Sequence, residues 1–244
     1  MISKKDFQIG GFQKLTLLDY PGGKVSAMVF TIGCNMRCPF CHNYELVEDI
    51  DKIEELVDPE EVIDYLKKRK GVLDGLVITG GEPTLQRGLK DFIKEVKEET
   101  GLLVKLDSNG LNPSVLKELI DENLIDYIAM DIKNDFENYG TITGIANIST
   151  ERIKESIKIL EEGKVEYEFR TTVIKDFHTL ERLKNIVNFI NKDSNYFLQQ
   201  FIISDNVPNK ELKYYTDEEL INIGEELKII HPNLKVRGIK SNND

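Results

Sequence analysis

Three cysteines carry the strongest chemical signal in this sequence. Cys34, Cys38 and Cys41 lie within eight residues in the spacing C-x3-C-x2-C, and the sequence contains three cysteines in all. Their odd number and close spacing do not suit a disulfide framework, so we expect thiolate ligands in a reducing compartment. An iron–sulfur cluster is normally held by four cysteines. Three would leave one iron open to an exogenous chelating ligand.

Two other uses of these cysteines stay open at this point. His42 could complete a structural zinc site, although zinc ligands usually come as two separated pairs. The three thiols could also lie unligated in an ordinary loop. Metal content after anaerobic reconstitution distinguishes the cases, because only the first interpretation predicts iron together with sulfide.

Further groups of polar residues and glycines follow the predicted strands. They are Gly80-Gly81-Glu82-Pro83 after the second strand, Asp107-Ser108-Asn109-Gly110 after the third, Asp131-Ile132-Lys133 after the fourth, and Arg170 within the fifth. Each has an ordinary alternative: a turn in which Pro83 starts a helix, an Asn-Gly turn, or an exposed ion pair on one strand face. Their shared position near strand carboxyl ends favours a site, because loops converge there in a parallel barrel.

The last two predicted strands also carry polar residues in their interiors. In the fifth, Glu166, Glu168, Arg170 and Thr172 alternate with other residues, which places a charged row on one face. We expect that face to line the barrel interior. In the sixth, Gln199 and Gln200 interrupt an apolar run, either as satisfied core amides or as ligand contacts.

Strand-like apolar runs alternate with helical segments along most of the chain. The predicted strands are Lys24–Thr31, Gly75–Thr79, Leu102–Asp107, Asp126–Ile132, Val165–Val173 and Asn195–Ile203. Asp58-Pro59 and Ser149 give helix start signals, and a final helix is predicted from about Thr216 to Ile230, before Pro232. Phe7 to Tyr20 is predicted to form a short hairpin.

This alternation predicts an α/β fold with parallel strands and right-handed crossovers. Because a closed eight-unit barrel normally takes about 250 residues, we predict a partial, open (β/α)6 barrel of the TIM type. The whole chain, residues 1–244, is expected to be one domain. It would consist of an N-terminal hairpin-like segment (1–23), the partial barrel (24–203), and a C-terminal helix and tail (204–244).

Composition excludes several classes of function. The 244 residues carry a formal net charge of −11, which argues against broad binding to nucleic-acid phosphates. No apolar run approaches the roughly 18 residues of a membrane-spanning helix, so no membrane partner is expected. The first six residues lack the apolar region of a secretory signal. We therefore expect a soluble cytoplasmic protein.

Taken together, these motifs resemble those of the radical S-adenosylmethionine superfamily. C-x3-C-x2-C after a first strand, Gly-Gly-Glu-Pro after a second, and a parallel barrel form that superfamily's pattern. Within it, Gly11–Gly22 and Phe30–Asn43 are similar to the branch that activates glycyl radical enzymes. The likeness is greatest to activating proteins of anaerobic ribonucleoside-triphosphate reductases, with pyruvate formate-lyase activating enzymes as relatives.

The resemblance implies a role for each motif. The cysteines would ligate three irons of a 4Fe-4S cluster, and S-adenosylmethionine would chelate the fourth. Phe40 would pack near the adenine, and Gly80, Gly81 and Glu82 would hold the methionine amino group. The residues implied around the ribose and carboxylate are Asp107, Ser108, Asp131 and Lys133, and Arg170 joins the cofactor pocket. A monovalent cation is a further ligand that the resemblance allows.

The resemblance also implies partners and leaves alternatives. An activating enzyme would act on a glycyl radical enzyme, such as an anaerobic ribonucleotide reductase, and take electrons from a flavodoxin- or ferredoxin-type donor. Where the relatives carry a histidine near the sixth strand, this chain has Gln199, Gln200 and Phe201. A small-molecule enzyme such as a deazapurine synthase would share the cluster and the barrel. A non-catalytic iron–sulfur electron carrier is the other alternative.

Overall fold

One sheet of eight strands organises the part of the chain that the structure describes. The computed structural model describes residues 6–48 and 55–239. The strands are β1 (Ile9–Thr16), β2 (Ser26–Thr31), β3 (Gly75–Gly80), β4 (Leu103–Ser108), β5 (Tyr127–Asp131), β6 (Glu166–Val173), β7 (Tyr196–Gln200) and β8 (Leu234–Arg237). They lie side by side in chain order, with β1 antiparallel to β2 and every later pair parallel. The sheet curves as an incomplete barrel that is not closed, which confirms the predicted partial, open barrel.

Helices connect the parallel strands. They are α1 (Pro59–Lys68), α2 (Leu89–Thr100), α3 (Pro113–Asp121), α4 (Tyr139–Thr143), α5 (Thr150–Glu161), α6 (Leu180–Phe189) and α7 (Asp217–Lys228). The predicted start signal at Asp58 is confirmed, because its side chain accepts a hydrogen bond from the Glu60 N–H and Pro59 occupies the first helical turn. Among the described residues, none of the helices has the length and apolar character needed to cross a bilayer.

The N-terminal hairpin was predicted in the wrong place. Phe7 to Tyr20 contains a single strand, and the hairpin forms instead between β1 and β2, with Ile9 opposite Thr31. Its turn contains Gly22 and Gly23, both at positive φ, where a residue with a side chain would be strained. The apolar strand β2 therefore pairs with β1, the strand on the other side of this turn.

The C-terminal region contains a strand that the sequence did not reveal. Leu234–Arg237 forms β8 and extends the sheet in parallel beyond β7. Its four residues alternate apolar and charged side chains over too short a span to stand out. The predicted sixth strand ends early, at Gln200, because the chain then turns toward the loop that contains Cys34, Cys38 and Cys41, which we call the cysteine loop. There the Ile202 carbonyl lies 2.8 Å from His42 Nε2.

Two apolar clusters support the barrel. The larger one packs the outer face of the sheet against the helices. The smaller one, which we call the interior plug, includes residues on the same faces of β4 and β5 as Asp107 and Asp131, and on these two strands it lies nearer the amino ends. It comprises Tyr20, Met28 and Val77, with Phe30, Leu103 and Tyr127 packed against them. The plug therefore fills the barrel beneath the polar residues of the carboxyl ends.

Candidate active site

All the predicted site residues line one cavity at the carboxyl ends of the strands. This cavity encloses about 890 Å³, including solvent at its mouth. The predicted residues in its wall are Cys34, Cys38, Phe40, Cys41, Gly80, Gly81, Glu82, Asp107, Ser108, Asp131, Lys133 and Arg170. Residues from five consecutive strands and the loops after them thus converge on one space, as expected of a parallel barrel.

The cysteine loop is held in place by its own backbone contacts. Arg37 N–H donates to the Thr143 carbonyl at 2.8 Å, and Cys41 N–H donates to the Cys38 carbonyl at 3.1 Å. Met36 N–H lies 3.4 Å from Cys34 Sγ and donates to it. These bonds fix the turn between the three thiols without any ligand.

Burial makes the three thiols weak acids in the ligand-free protein. Burial raises the pKa of Cys38 to about 12, and it also raises the pKa values of Cys34 and Cys41. The charge of Lys133 opposes these shifts. Metal binding would therefore release protons from the thiols, since a coordinated thiol is deprotonated.

A single metal ion and an iron–sulfur cluster place different requirements on the three thiols. Within residues 6–48 and 55–239, no three His, Cys, Asp or Glu side chains are close enough to hold one metal ion. His42, the fourth ligand of the alternative zinc site, is engaged with the Ile202 carbonyl instead. The three free cysteine thiols are the donor type that iron–sulfur clusters use. The donor set therefore fits a 4Fe-4S cluster with one iron left open.

Glu82 is a buried carboxylate that forms no ion pair with the described residues. Burial raises its pKa, and four hydrogen bonds oppose that shift. Oε2 accepts from Asn109 N–H at 2.7 Å, and Oε1 accepts from Ser108 Oγ at 3.0 Å and from both N–H and Oγ1 of Thr84. An ammonium group in the cavity would supply the missing countercharge.

Gly80 and Gly81 have a structural reason to be glycines. Gly80 has φ of +113°, and a Cβ there would collide with the backbone of Thr31. A Cβ on Gly81 would collide with the Gly33 carbonyl. The ends of β2 and β3 therefore approach so closely that side chains cannot fit between them. This packing presses the Gly-Gly-Glu turn against the cysteine loop and leaves both glycines in the cavity wall.

Alternating charges connect the next three strands. Arg170 Nε donates to Asp131 Oδ1 at 2.9 Å, and its Nη1 lies 3.4 Å from Asp107 Oδ2. Lys133 Nζ donates to Asp131 Oδ2 at 2.9 Å, while Lys105 pairs with Asp107. Burial would raise the pKa of Asp131, but Arg170 and Lys133 outweigh it and lower that pKa to about 2. These contacts exclude the simple exposed pair as an account of Asp131 and Lys133.

Phe40 forms an apolar wall beside these charges. It is buried, and Lys133 Nζ lies 5.8 Å from the centre of its ring. Phe201 packs edge-on against it, with ring centres 6.4 Å apart. The cavity can therefore accept a flat apolar group against Phe40, with charged groups close beside it.

The charged row predicted on β6 does face the interior. Glu168 forms a two-pronged ion pair with Arg237 of β8 at 2.7 and 2.8 Å and accepts from the Tyr127 hydroxyl at 2.9 Å. The Gln200 amide is only half bonded: its Nε2 donates to the Tyr215 carbonyl, whereas its buried Oε1 has no hydrogen-bond partner among the described residues. Gln199 does not line this first cavity, which contains the three cysteines and which we call the cofactor cavity.

Gln199 instead lines a second cavity, which we call the lateral chamber. It encloses about 620 Å³, and its walls are Leu18, Asp19, Pro21, Lys105, Glu168, Arg170, Gln199 and Arg237. The walls include the β1–β2 turn and strand β8, the two sides of the open barrel. Arg170 lines both cavities, so the chamber adjoins the first one through that residue.

Asn109 has a role in the site that its place in an Asn-Gly turn does not reveal. Its Nδ2 donates to Asn35 Oδ1 at 2.7 Å and lies 3.8 Å from Cys34 Sγ. Because its backbone N–H also binds Glu82, this residue ties the third strand end to the cysteine loop. Its position directly after a strand was the signal that could have identified it.

Comparison with known proteins agrees with this geometry. Residues 28–190 match the Radical SAM superfamily, and the chain belongs to that family. It is a radical S-adenosylmethionine enzyme, which sets aside the electron-carrier interpretation.

Two of the similar relatives are named as activating enzymes. The chain is 33% identical over 239 residues to "Putative glycyl-radical enzyme activating enzyme MJ1227" of Methanocaldococcus jannaschii, covering 95% of this chain and 96% of that protein. It is 29% identical to pyruvate formate-lyase 1-activating enzyme of Escherichia coli K12, covering 68% of each chain. The structure of Streptococcus suis SuiB has a similar fold, with a TM-score of 0.66 and 16% identity. This match covers 85% of the present chain and 47% of SuiB, or about half of its length.

Proposed function

We propose that this protein is a glycyl-radical-enzyme activating enzyme. The observation that carries the proposal is the convergence in one cavity of three loop cysteines, an uncompensated buried Glu82 and an ionised Asp131. The resemblance to a putative activating enzyme over 95% of the chain supports this branch. The proposed reaction is reductive cleavage of S-adenosylmethionine, followed by hydrogen abstraction from a glycine of a partner enzyme.

In this proposal the cavity residues divide between two bound groups. Cys34, Cys38 and Cys41 would hold a 4Fe-4S cluster. When bound, the cluster would supply the electron that splits S-adenosylmethionine into methionine and a 5′-deoxyadenosyl radical. Cofactor binding itself falls to Phe40, Gly80, Gly81, Glu82, Asp107, Ser108, Asp131, Lys133 and Arg170.

Each side of the cavity suits one part of that cofactor. The lone carboxylate of Glu82 matches the cofactor's ammonium group, while the flat wall of Phe40 matches the adenine. Asp131, kept ionised by Arg170 and Lys133, is a hydrogen-bond acceptor suited to ribose hydroxyls. The protein's own tasks are to orient the cofactor and to exclude water from it.

The lateral chamber is the proposed entry for the partner's glycine. Its walls include the β1–β2 turn and β8, and it shares the wall residue Arg170 with the first cavity. A loop of a partner could therefore bring a glycine Cα–H to the cofactor from the open side of the barrel. One hydrogen atom would move from that carbon to the 5′-deoxyadenosyl radical, giving 5′-deoxyadenosine and leaving the unpaired electron on the glycine.

A monovalent cation is the least supported part of the expected ligand set. Asp107 already has Lys105 and Arg170 as partners, and Asp131 has Arg170 and Lys133. These side-chain cations compensate both carboxylates. We therefore propose that Arg170 supplies the positive charge between them, with no added cation.

The partner and the electron donor complete the proposal. An anaerobic ribonucleotide reductase of the same cell is the first partner to test, with a flavodoxin- or ferredoxin-type protein as the electron donor. The chemistry needs a reducing compartment, because three free thiols must remain available to the cluster. The cytoplasm is such a compartment.

The test is electron paramagnetic resonance of the candidate reductase after incubation with reduced protein and S-adenosylmethionine. A glycyl radical is expected, and a deuterated glycine should pass its label to 5′-deoxyadenosine, one per cofactor consumed. Unlabelled deoxyadenosine together with a modified small molecule would contradict the proposal and indicate the synthase alternative.

A further inference from the structure

Lys133 is fixed through its backbone as well as its side chain. Its N–H donates to the Tyr139 hydroxyl at 3.1 Å, and its carbonyl lies 2.8 Å from His178 Nε2. Both partners are fully buried. Tyr139 begins α4, and His178 lies between β6 and α6, so segments from two different crossovers hold one residue.

The hydrogen bonds of His178 determine its tautomer. Nδ1 accepts the Ile174 N–H at 3.0 Å, so the ring proton is on Nε2, which donates to the Lys133 carbonyl. Burial lowers the pKa of His178 to about 4, which keeps the ring neutral at physiological pH. Both ring nitrogens are therefore used to hold backbone.

Helix α4 extends this support to the cysteine loop. Tyr139 at its start binds Lys133, and the Thr143 carbonyl at its end accepts the Arg37 N–H. Gly144, which caps the helix at φ of +70°, packs so closely on the Arg37 backbone that a Cβ would clash there. One short helix thus contacts both the loop between Cys34 and Cys38 and the backbone of Lys133.

We propose that Tyr139 and His178 are positioning residues that set Lys133 relative to the cysteine loop. The inference rests on the proposed cofactor pocket. With its backbone fixed, Lys133 holds its ammonium 2.9 Å from Asp131 Oδ2 and 5.8 Å from the Phe40 ring centre. A lysine side chain is flexible, so loss of the backbone anchors would let this charge move away from the cofactor.

The first test is Tyr139→Phe, which removes one hydroxyl and keeps the ring. A neutral hydrogen bond contributes about 1 kcal/mol, so the Kd for S-adenosylmethionine should rise about threefold to tenfold, with iron content unchanged. Tyr167→Phe is the matched control, because that hydroxyl pairs with Ser194 away from the cavity. Unchanged affinity in Tyr139→Phe would overturn the inference.

A double-mutant cycle separates positioning from general structural support. If Tyr139 acts through Lys133, Tyr139→Phe should have no further effect on the Kd in a Lys133→Met background, although it can still lower the Tm. The same loss of affinity in both backgrounds would show a structural role and overturn the inference.

His178 offers a second route if the tyrosine variant does not fold. His178→Gln keeps a donor for the Lys133 carbonyl and should lose less affinity than His178→Ala, and equal losses would contradict positioning. Affinity is followed by titrating the change that S-adenosylmethionine causes in the EPR signal of the reduced cluster. Absence of that change in the wild type would break the proposed function itself, which distinguishes the two failures.

Discussion

The two ends of the barrel interior are built from the same strands but from opposite kinds of residue. On β4, Leu103 packs against the interior plug, whereas Lys105 and Asp107, nearer the carboxyl end of the strand, form an ion pair. On β5, Tyr127 contacts the plug and Asp131 faces the cofactor cavity. On these two strands, the residues in apolar packing and the residues in ion pairs are therefore only two to four positions apart.

This difference separates the residues that stabilise the barrel from those that define its site. Burial of the plug residues stabilises the folded protein in proportion to the apolar surface area that is removed from water. Partly buried charges such as Asp131 and Arg170 lose hydration, and pairing them often does no more than offset that cost. Substitutions at the amino end should therefore lower stability, and substitutions at the carboxyl end should mainly impair binding.

The largest effect is expected from the cysteine loop. Cys38→Ala should abolish the cluster, because two remaining thiolates cannot hold a cubane that already lacks one protein ligand. Iron and sulfide analysis after anaerobic reconstitution measures this directly. His42→Ala is the control and should retain the cluster; loss of iron in that variant would favour a mixed cysteine and histidine ligand set.

Glu82 tests the carboxyl end without touching the cluster. Glu82→Gln keeps the shape but removes the charge, so the Kd for S-adenosylmethionine should rise about 10- to 100-fold, the equivalent of 1.5 to 3 kcal/mol. Isothermal titration with matched iron content measures the change. Glu168→Gln is the control, since that carboxylate already has Arg237 as a partner. Equal losses in the two variants would show that any buried carboxylate in the barrel behaves alike.

The interior plug should respond in the opposite way. Met28→Ala removes a buried side chain from the plug and should lower the free energy of unfolding by about 2 to 4 kcal/mol. Denaturant unfolding measures the loss. The Kd for S-adenosylmethionine in the folded fraction should not change, and a weaker cofactor affinity would remove the distinction between the two ends.

The sequence predicted the parts of this molecule that depend on local pattern. Six apolar runs became β2 to β7 because their length and flanking turns are local properties. The position of the polar residues at strand ends was enough to bring Glu82, Asp131 and Arg170 into one cavity, since parallel topology places those ends together.

Features that depend on tertiary pairing escaped prediction. β8 is only four residues long and pairs with β7. The N-terminal strand β1 pairs with β2, and this pairing depends on the position of β2 in the sheet. The lateral chamber joins the β1–β2 turn to Arg237, a residue far away in sequence. The backbone anchors of Lys133 likewise come from two distant crossovers, and no spacing in the sequence reports them.

The last expected effect concerns acid stability at the carboxyl end, and it is read as a difference in pH dependence. Burial lowers the pKa of His178 from 6.5 to about 4, so between these values the unfolded chain binds a proton that the native protein does not. Stability from this residue is therefore present above pH 6.5 and is lost as the pH falls toward 4, by about 2 to 3 kcal/mol. His178→Gln cannot titrate, so its stability should fall less steeply across this window than that of the wild type. His231 also has a pKa lowered by burial, but it is present in both proteins, and its contribution cancels in the difference between their unfolding curves. Parallel curves from pH 7 to pH 4 would mean that His178 is protonated without disturbing Ile174 or Lys133, and that the carboxyl end tolerates a charge where its hydrogen bonds require a neutral ring.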